Sequence, residues 1–103
     1  RIPGADANPY LAFAATIAAG LHGIENEIEP PDAYEGNAYE AEDVARVPWN
    51  IVEAMTELEN SKVALEAFGE EVHYHLVNTA KQEWARSNQT ITDWELQRNF
   101  ERI

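Results

Sequence analysis

Apolar residues recur every three or four positions through much of this chain, which is the spacing of one face of an α-helix. The first stripe runs from Tyr10 to Ile28 and predicts a helix that begins at Pro9 and ends near Ile28. Asn8 suits the N-cap, and Pro9 suits the first helical position, where its missing N–H costs nothing. The Glu-Pro-Pro sequence at 29–31 ends this helix, because a residue that precedes proline disfavours the α region.

The stretch from about 29 to 47 has no periodicity and is rich in Pro, Asp, Glu, Gly and Asn. This composition predicts a long exposed loop. Loops longer than about 12–15 residues in compact domains are usually functional or mobile. We therefore expect residues 29–47 to have one of these two characters.

Two further helices are predicted around Ser61. One begins near Asn50, whose side chain is a good cap, and it carries apolar residues at 51, 55 and 58 on one face. Ser61 caps a short helix that reaches Phe68 and that Gly69 ends in a left-handed conformation.

The final third of the chain predicts a longer helix and a terminal one. The longer helix runs from Glu70 to about Ser87, with a buried stripe near Val72, Leu76, Ala80 and the pair Glu83 and Trp84. Thr92 and Glu95 form a capping box, which begins a helix over about 93–102. No repeat is present, so the prediction is an all-α fold of four or five helices.

Composition narrows the class of protein. The chain has 103 residues, of which 45% are apolar, and a net charge of −12. This acidity disfavours nucleic acid and anionic membrane surfaces as partners, because phosphate binding needs clustered Lys and Arg. The chain has no cysteine and no apolar run of the ~20 residues that span a bilayer. We expect a cytoplasmic protein without disulfides.

Candidate chemistry is sparse. His73 and His75 invite a metal hypothesis, but residues two apart on a helix point in nearly opposite directions. Glu71 and His75 could meet, yet two ligands do not make a site. No phosphate-binding glycine loop or nucleophile arrangement is present. From the residues alone we expect no metal site, and we interpret the chain as a helical packing module.

Several segments nevertheless resemble a known enzyme family. They are residues 1–15 (RIPGADANPYLAFAA), 20–26 (GLHGIEN), 36–39 (GNAY) and 92–95 (TDWE). Together they resemble the last part of the catalytic domain of glutamine synthetases. The resemblance implies that residues 1–103 are the C-terminal helical portion of a larger α+β ligase domain. It also implies homo-oligomer contacts and packing against an upstream catalytic barrel. The terminal helix would either dock on a neighbouring subunit or cap the helical portion of its own subunit.

The resemblance implies a reaction as well. Members of this family use ATP and Mg²⁺ or Mn²⁺ to make γ-glutamyl phosphate from glutamate, and ammonia then displaces the phosphate. The nucleotide and metal sites lie upstream, so we expect the isolated fragment to be inactive and to hold no cofactor.

Two residues of this chain match functional positions of the family. Arg1 matches an arginine that contacts the substrate glutamate or the transferring phosphoryl group. Tyr39 matches a loop tyrosine that is adenylylated in some bacterial members. The sequence around Tyr39 keeps the Asn and the acidic residue of that motif but lacks its Leu and Pro residues.

Two alternatives remain open. The TDWE…FER ending resembles relatives that join glutamate to a polyamine or another amine rather than to ammonia. From a different class, the chain could be a stand-alone acidic module that binds a partner protein through its Ala- and Gly-rich first helix.

Overall fold

The computed structural model describes residues 3–37, 39–41, 44–100 and 102. Within these ranges the chain forms four helices and no strand. The predicted all-α fold class is therefore confirmed. The helices are α1 (Pro9–Glu25), α2 (Ile51–Asn60), α3 (Lys62–Ser87) and α4 (Asp93–Phe100).

All four helices begin where the sequence places a capping residue. Asn8, Asn50, Ser61 and Thr92 each accept a backbone N–H with the side-chain oxygen, over 3.0, 3.0, 3.1 and 3.2 Å respectively. Each bond satisfies one of the N–H groups that a helix start leaves without an intrahelical acceptor. Local chemistry therefore sets these starts.

The end of α1 differs from the prediction. The helix ends at Glu25 rather than near Ile28, because Glu27 adopts a φ of 52°. The Ile28 N–H then donates to the Gly23 carbonyl over 2.9 Å, and the Glu27 N–H donates to the Ile24 carbonyl over 3.2 Å. This pair of bonds is a Schellman motif. It closes the helix before the two prolines are reached.

Gly69 interrupts α3. Its φ of 77° confirms the predicted positive value, but its ψ of 162° is extended rather than left-handed helical. Glycine is essentially the only residue that adopts this combination. Helical segments therefore lie on both sides of a kink at Gly69, as the sequence predicts.

The small core lies between α2 and the second half of α3. Val77 and His73 are 4% and 8% exposed, so the buried face of α3 is centred on these two residues. The predicted stripe was partly wrong, since Val72 and Trp84 are exposed while Leu76 and Ala80 are half-buried. The buried face differs from the prediction because α2 packs on the side of α3 that carries His73 and Val77.

Much of the surface is open. The chain exposes 9633 Å², whereas a compact monomer of this size exposes about 5,800 Å². Its radius of gyration is 18.1 Å, against about 13 Å for a compact domain of this length. In the part of the chain that the structure describes, α1 and α2 both pack on α3, and α4 contacts none of them.

Candidate functional site

Only one of the two predicted site residues can be placed. Arg1 lies outside the described residues. The segment that follows it makes a turn, in which the Ala7 N–H donates to the Gly4 carbonyl over 3.1 Å. Asn8 then caps α1, so the backbone that leads into the helix is fixed at two points.

Tyr39 lies on an exposed turn that Asn37 organises. The Asn37 side-chain oxygen accepts the Tyr39 N–H over 3.2 Å, and its backbone carbonyl accepts the Glu40 N–H over 3.0 Å. The Asn37 Nδ2 also donates to Glu40 Oε1 over 2.8 Å. The Tyr39 side chain is 92% exposed as a result, and its hydroxyl is accessible from solvent.

A concave surface forms beside Tyr39, and we call it the loop pocket. It has a volume of 480 Å³ and is lined by Tyr39 and residues 44–49. Arg46 closes the loop by donating from Nη2 to the carbonyl of Ala41 over 2.9 Å. Ala41 is only 4% exposed, so this part of the predicted loop is anchored rather than fully exposed.

Trp49 stands where the loop pocket meets α2. The backbone N–H of Trp49 donates to Glu53 Oε2 over 2.9 Å, and the Asn50 Nδ2 donates to Glu53 Oε1 over 2.7 Å. These bonds fix the Trp49 backbone while 78% of the residue stays exposed. The sequence prediction did not identify this surface. The available signal was a tryptophan beside Val47 and Pro48 at the end of a polar loop.

His73 links α2 to α3 and is not part of a metal cluster among the described residues. Its Nε2 donates to the Leu58 carbonyl over 2.7 Å, which ties the end of α2 to α3. The Lys81 ammonium pairs with Glu59 over 2.6 Å and reinforces the same contact. Among the described residues, no three His, Asp or Glu side chains are grouped closely enough to hold a metal ion.

A groove of 380 Å³ separates α1 from α3. Ala14, Ile17, Ala18 and Leu21 line one side and Val63 and Ala67 the other, and the polar residues that join them are His22, Glu25 and Glu66. These side chains are mostly apolar and include no nucleophile–base pair. The groove therefore suits packing rather than catalysis.

No helix in the described ranges is both long enough and apolar enough to cross a membrane.

Comparison with known proteins gives one consistent family. The profile of the glutamine synthetase catalytic domain matches residues 1–99. A gamma-glutamylethanolamide synthetase from Streptomyces coelicolor is 52% identical over 103 residues, covering 100% of this chain and 22% of that protein.

Glutamine synthetases from other organisms match over the same region. One from Thermotoga maritima is 40% identical over 105 residues, covering 95% of this chain and 24% of that protein. A type-1 glutamine synthetase from Dictyostelium discoideum is 38% identical over 107 residues, covering 100% of this chain and 20% of that protein.

The chain thus spans about a fifth to a quarter of the length of these relatives. The family profile, in contrast, accounts for nearly all of this chain. The resemblance predicted from its sequence motifs is confirmed: the chain belongs to the glutamine synthetase catalytic-domain family.

Proposed function

We propose that residues 1–103 form the C-terminal helical part of the catalytic domain of an ATP-dependent ligase. The ligase joins glutamate to ammonia or to a small amine through γ-glutamyl phosphate. The observation that carries this proposal is the family match over residues 1–99. The open surface supports it, because the chain exposes about 3,800 Å² more than a compact monomer of its size. That area is enough for one or more large permanent interfaces, each of which buries about 1,000–2,500 Å² on each partner.

The chain's own contribution is mechanical support. The apolar faces of α1 and α4 pack, in this proposal, on the upstream barrel and on neighbouring subunits of a homo-oligomer. No three His, Asp or Glu side chains cluster among the described residues, and no step through Mg²⁺, Mn²⁺ or ATP is assigned to them. The parent enzyme would bind them elsewhere, in the cytoplasm where ATP is supplied.

Arg1 has a chemical role in this proposal. Its guanidinium is permanently charged and presents a planar fork of N–H donors. Such a group can hold the carboxylate of glutamate or stabilise negative charge on the transferring phosphoryl group. The two fixed points at Gly4 and Asn8 support it, since they hold the backbone that follows Arg1.

Tyr39 is proposed as a position for regulatory adenylylation. The support is its 92% exposure and the Asn37 turn that presents its hydroxyl. Mass spectrometry of the protein purified from its natural host tests this directly. One adenylyl group on the peptide that contains Tyr39 is expected, and unmodified peptide under both nitrogen-rich and nitrogen-poor growth would contradict it.

An amine acceptor is the second candidate, and one observation favours it. The identity to the gamma-glutamylethanolamide synthetase is 52% over the whole chain, against 40% to the Thermotoga glutamine synthetase. The acceptor is chosen by residues upstream of this chain. We therefore leave ammonia and amine as two outcomes of one assay.

The assay uses the whole-length enzyme with ATP, Mg²⁺ and glutamate, and supplies ammonium, ethanolamine or putrescine in separate reactions. Phosphate release and the γ-glutamyl product identify the acceptor. We expect Arg1→Ala to lower kcat/KM about 100-fold, as removal of a single charge-stabilising donor does. Arg86→Ala is the matched control, because the Arg86 side chain is 74% exposed near the end of α3, and it should retain activity within about twofold.

The isolated chain provides the second control. It should release no phosphate with any acceptor, since the nucleotide site lies elsewhere. Full turnover by the isolated chain would contradict the proposal. No turnover by the whole-length enzyme with any of the three acceptors would contradict it equally. A strictly monomeric, highly stable isolated chain would favour a stand-alone interaction module instead.

A further inference from the structure

We draw no further inference here: the strongest candidate, the loop pocket beside Tyr39, exposes an apolar surface in a chain that spans about a fifth to a quarter of its relatives' length, and nothing in the structure shows what covers it.

Discussion

The α2–α3 hairpin and the helix α4 have equally good helix starts but very different packing. Ser61 serves as both the C-cap of α2 and the N-cap of α3, so the two helices turn sharply onto each other. His73 and Val77 are buried in their contact. In α4, by contrast, Leu96 and Phe100 are 51% and 81% exposed.

This difference teaches that capping and burial are separate requirements. A side-chain cap satisfies the free N–H groups at the start of a helix and needs only local sequence. Burial needs a second surface, and most helical stability in proteins comes from such packing. The hairpin supplies its own second surface. We propose that the apolar faces of α1 and α4 find their second surface in the rest of the catalytic domain.

The largest loss of stability is expected from a substitution in the core of the α2–α3 hairpin. Val77→Asp removes an apolar side chain from the core and takes a carboxylate out of water at a site that is 4% exposed. We expect a loss of about 3 kcal/mol or more in the free energy of unfolding, measured by urea denaturation. The control is Val72→Asp in the same helix, at a residue that is 44% exposed. Equal losses for the two variants would contradict the assigned core.

A smaller loss is expected when the bond between the helices is removed. His73→Leu keeps the apolar bulk but cannot donate to the Leu58 carbonyl, which still accepts the Ser61 N–H over 3.1 Å. The expected cost is about 1 kcal/mol, the net value of a typical hydrogen bond. His75→Leu, at an exposed position, serves as the control and should change the unfolding midpoint little.

Replacement of glycine by alanine should change the stability of the chain in opposite directions at two positions. Gly69→Ala forces a side chain into a φ of 77° and should destabilise the chain by about 1–3 kcal/mol. Gly20→Ala lies inside α1, and the added Cβ meets nothing within 4 Å beyond the backbone of its own helix and its chain neighbours. It should therefore stabilise the chain by up to about 1 kcal/mol. Thermal denaturation followed by circular dichroism distinguishes the two. A shift of the same sign for both would contradict the kink.

The smallest effect concerns α4 and pH. The backbone N–H of Thr92 donates to the Glu95 carboxylate, and the Thr92 hydroxyl donates to it as well. Both bonds hold the pKa of Glu95 below its usual value of 4.5, and the backbone bond has the larger effect. A group with a lowered folded pKa stabilises above the unfolded pKa and loses that contribution as pH falls through the folded pKa. The helicity of α4 should therefore fall as pH drops below 4.5.

Carbon chemical shifts of residues 93–100, recorded from neutral pH to about pH 3, measure this change. Glu95→Gln removes this titrating group and should make the acid-induced fall in α4 helicity smaller. Unchanged shifts in the unmodified chain at acid pH would contradict a contribution from the capping box.

The sequence predicted the features that depend on neighbouring residues. The four caps and the positive φ of Gly69 follow from local chemistry, and the structure confirms them. The buried face of α3 was predicted less well, because α2 decides whether Val72 or Val77 is covered. The early end of α1 was missed because Glu27, a residue without glycine's freedom, adopts a positive φ.

The candidate site shows the same division. The predicted loop position of Tyr39 depends on polar, non-periodic sequence and is confirmed. The loop pocket was not predicted, because it requires Tyr39 and Trp49, ten residues apart in irregular chain, to line one surface. The roles of Arg1 and Tyr39 come from the resemblance and stay predictions.

The central claim is that α1 and α4 are completed by the rest of the catalytic domain while the α2–α3 hairpin is complete in itself. Hydrogen–deuterium exchange of the isolated chain and of the whole-length enzyme tests it most directly. The account predicts that amides of α1 and α4 exchange rapidly in the isolated chain and become strongly protected in the enzyme, while the hairpin changes much less. Equal protection of α1, α4 and the hairpin in the isolated chain would contradict it.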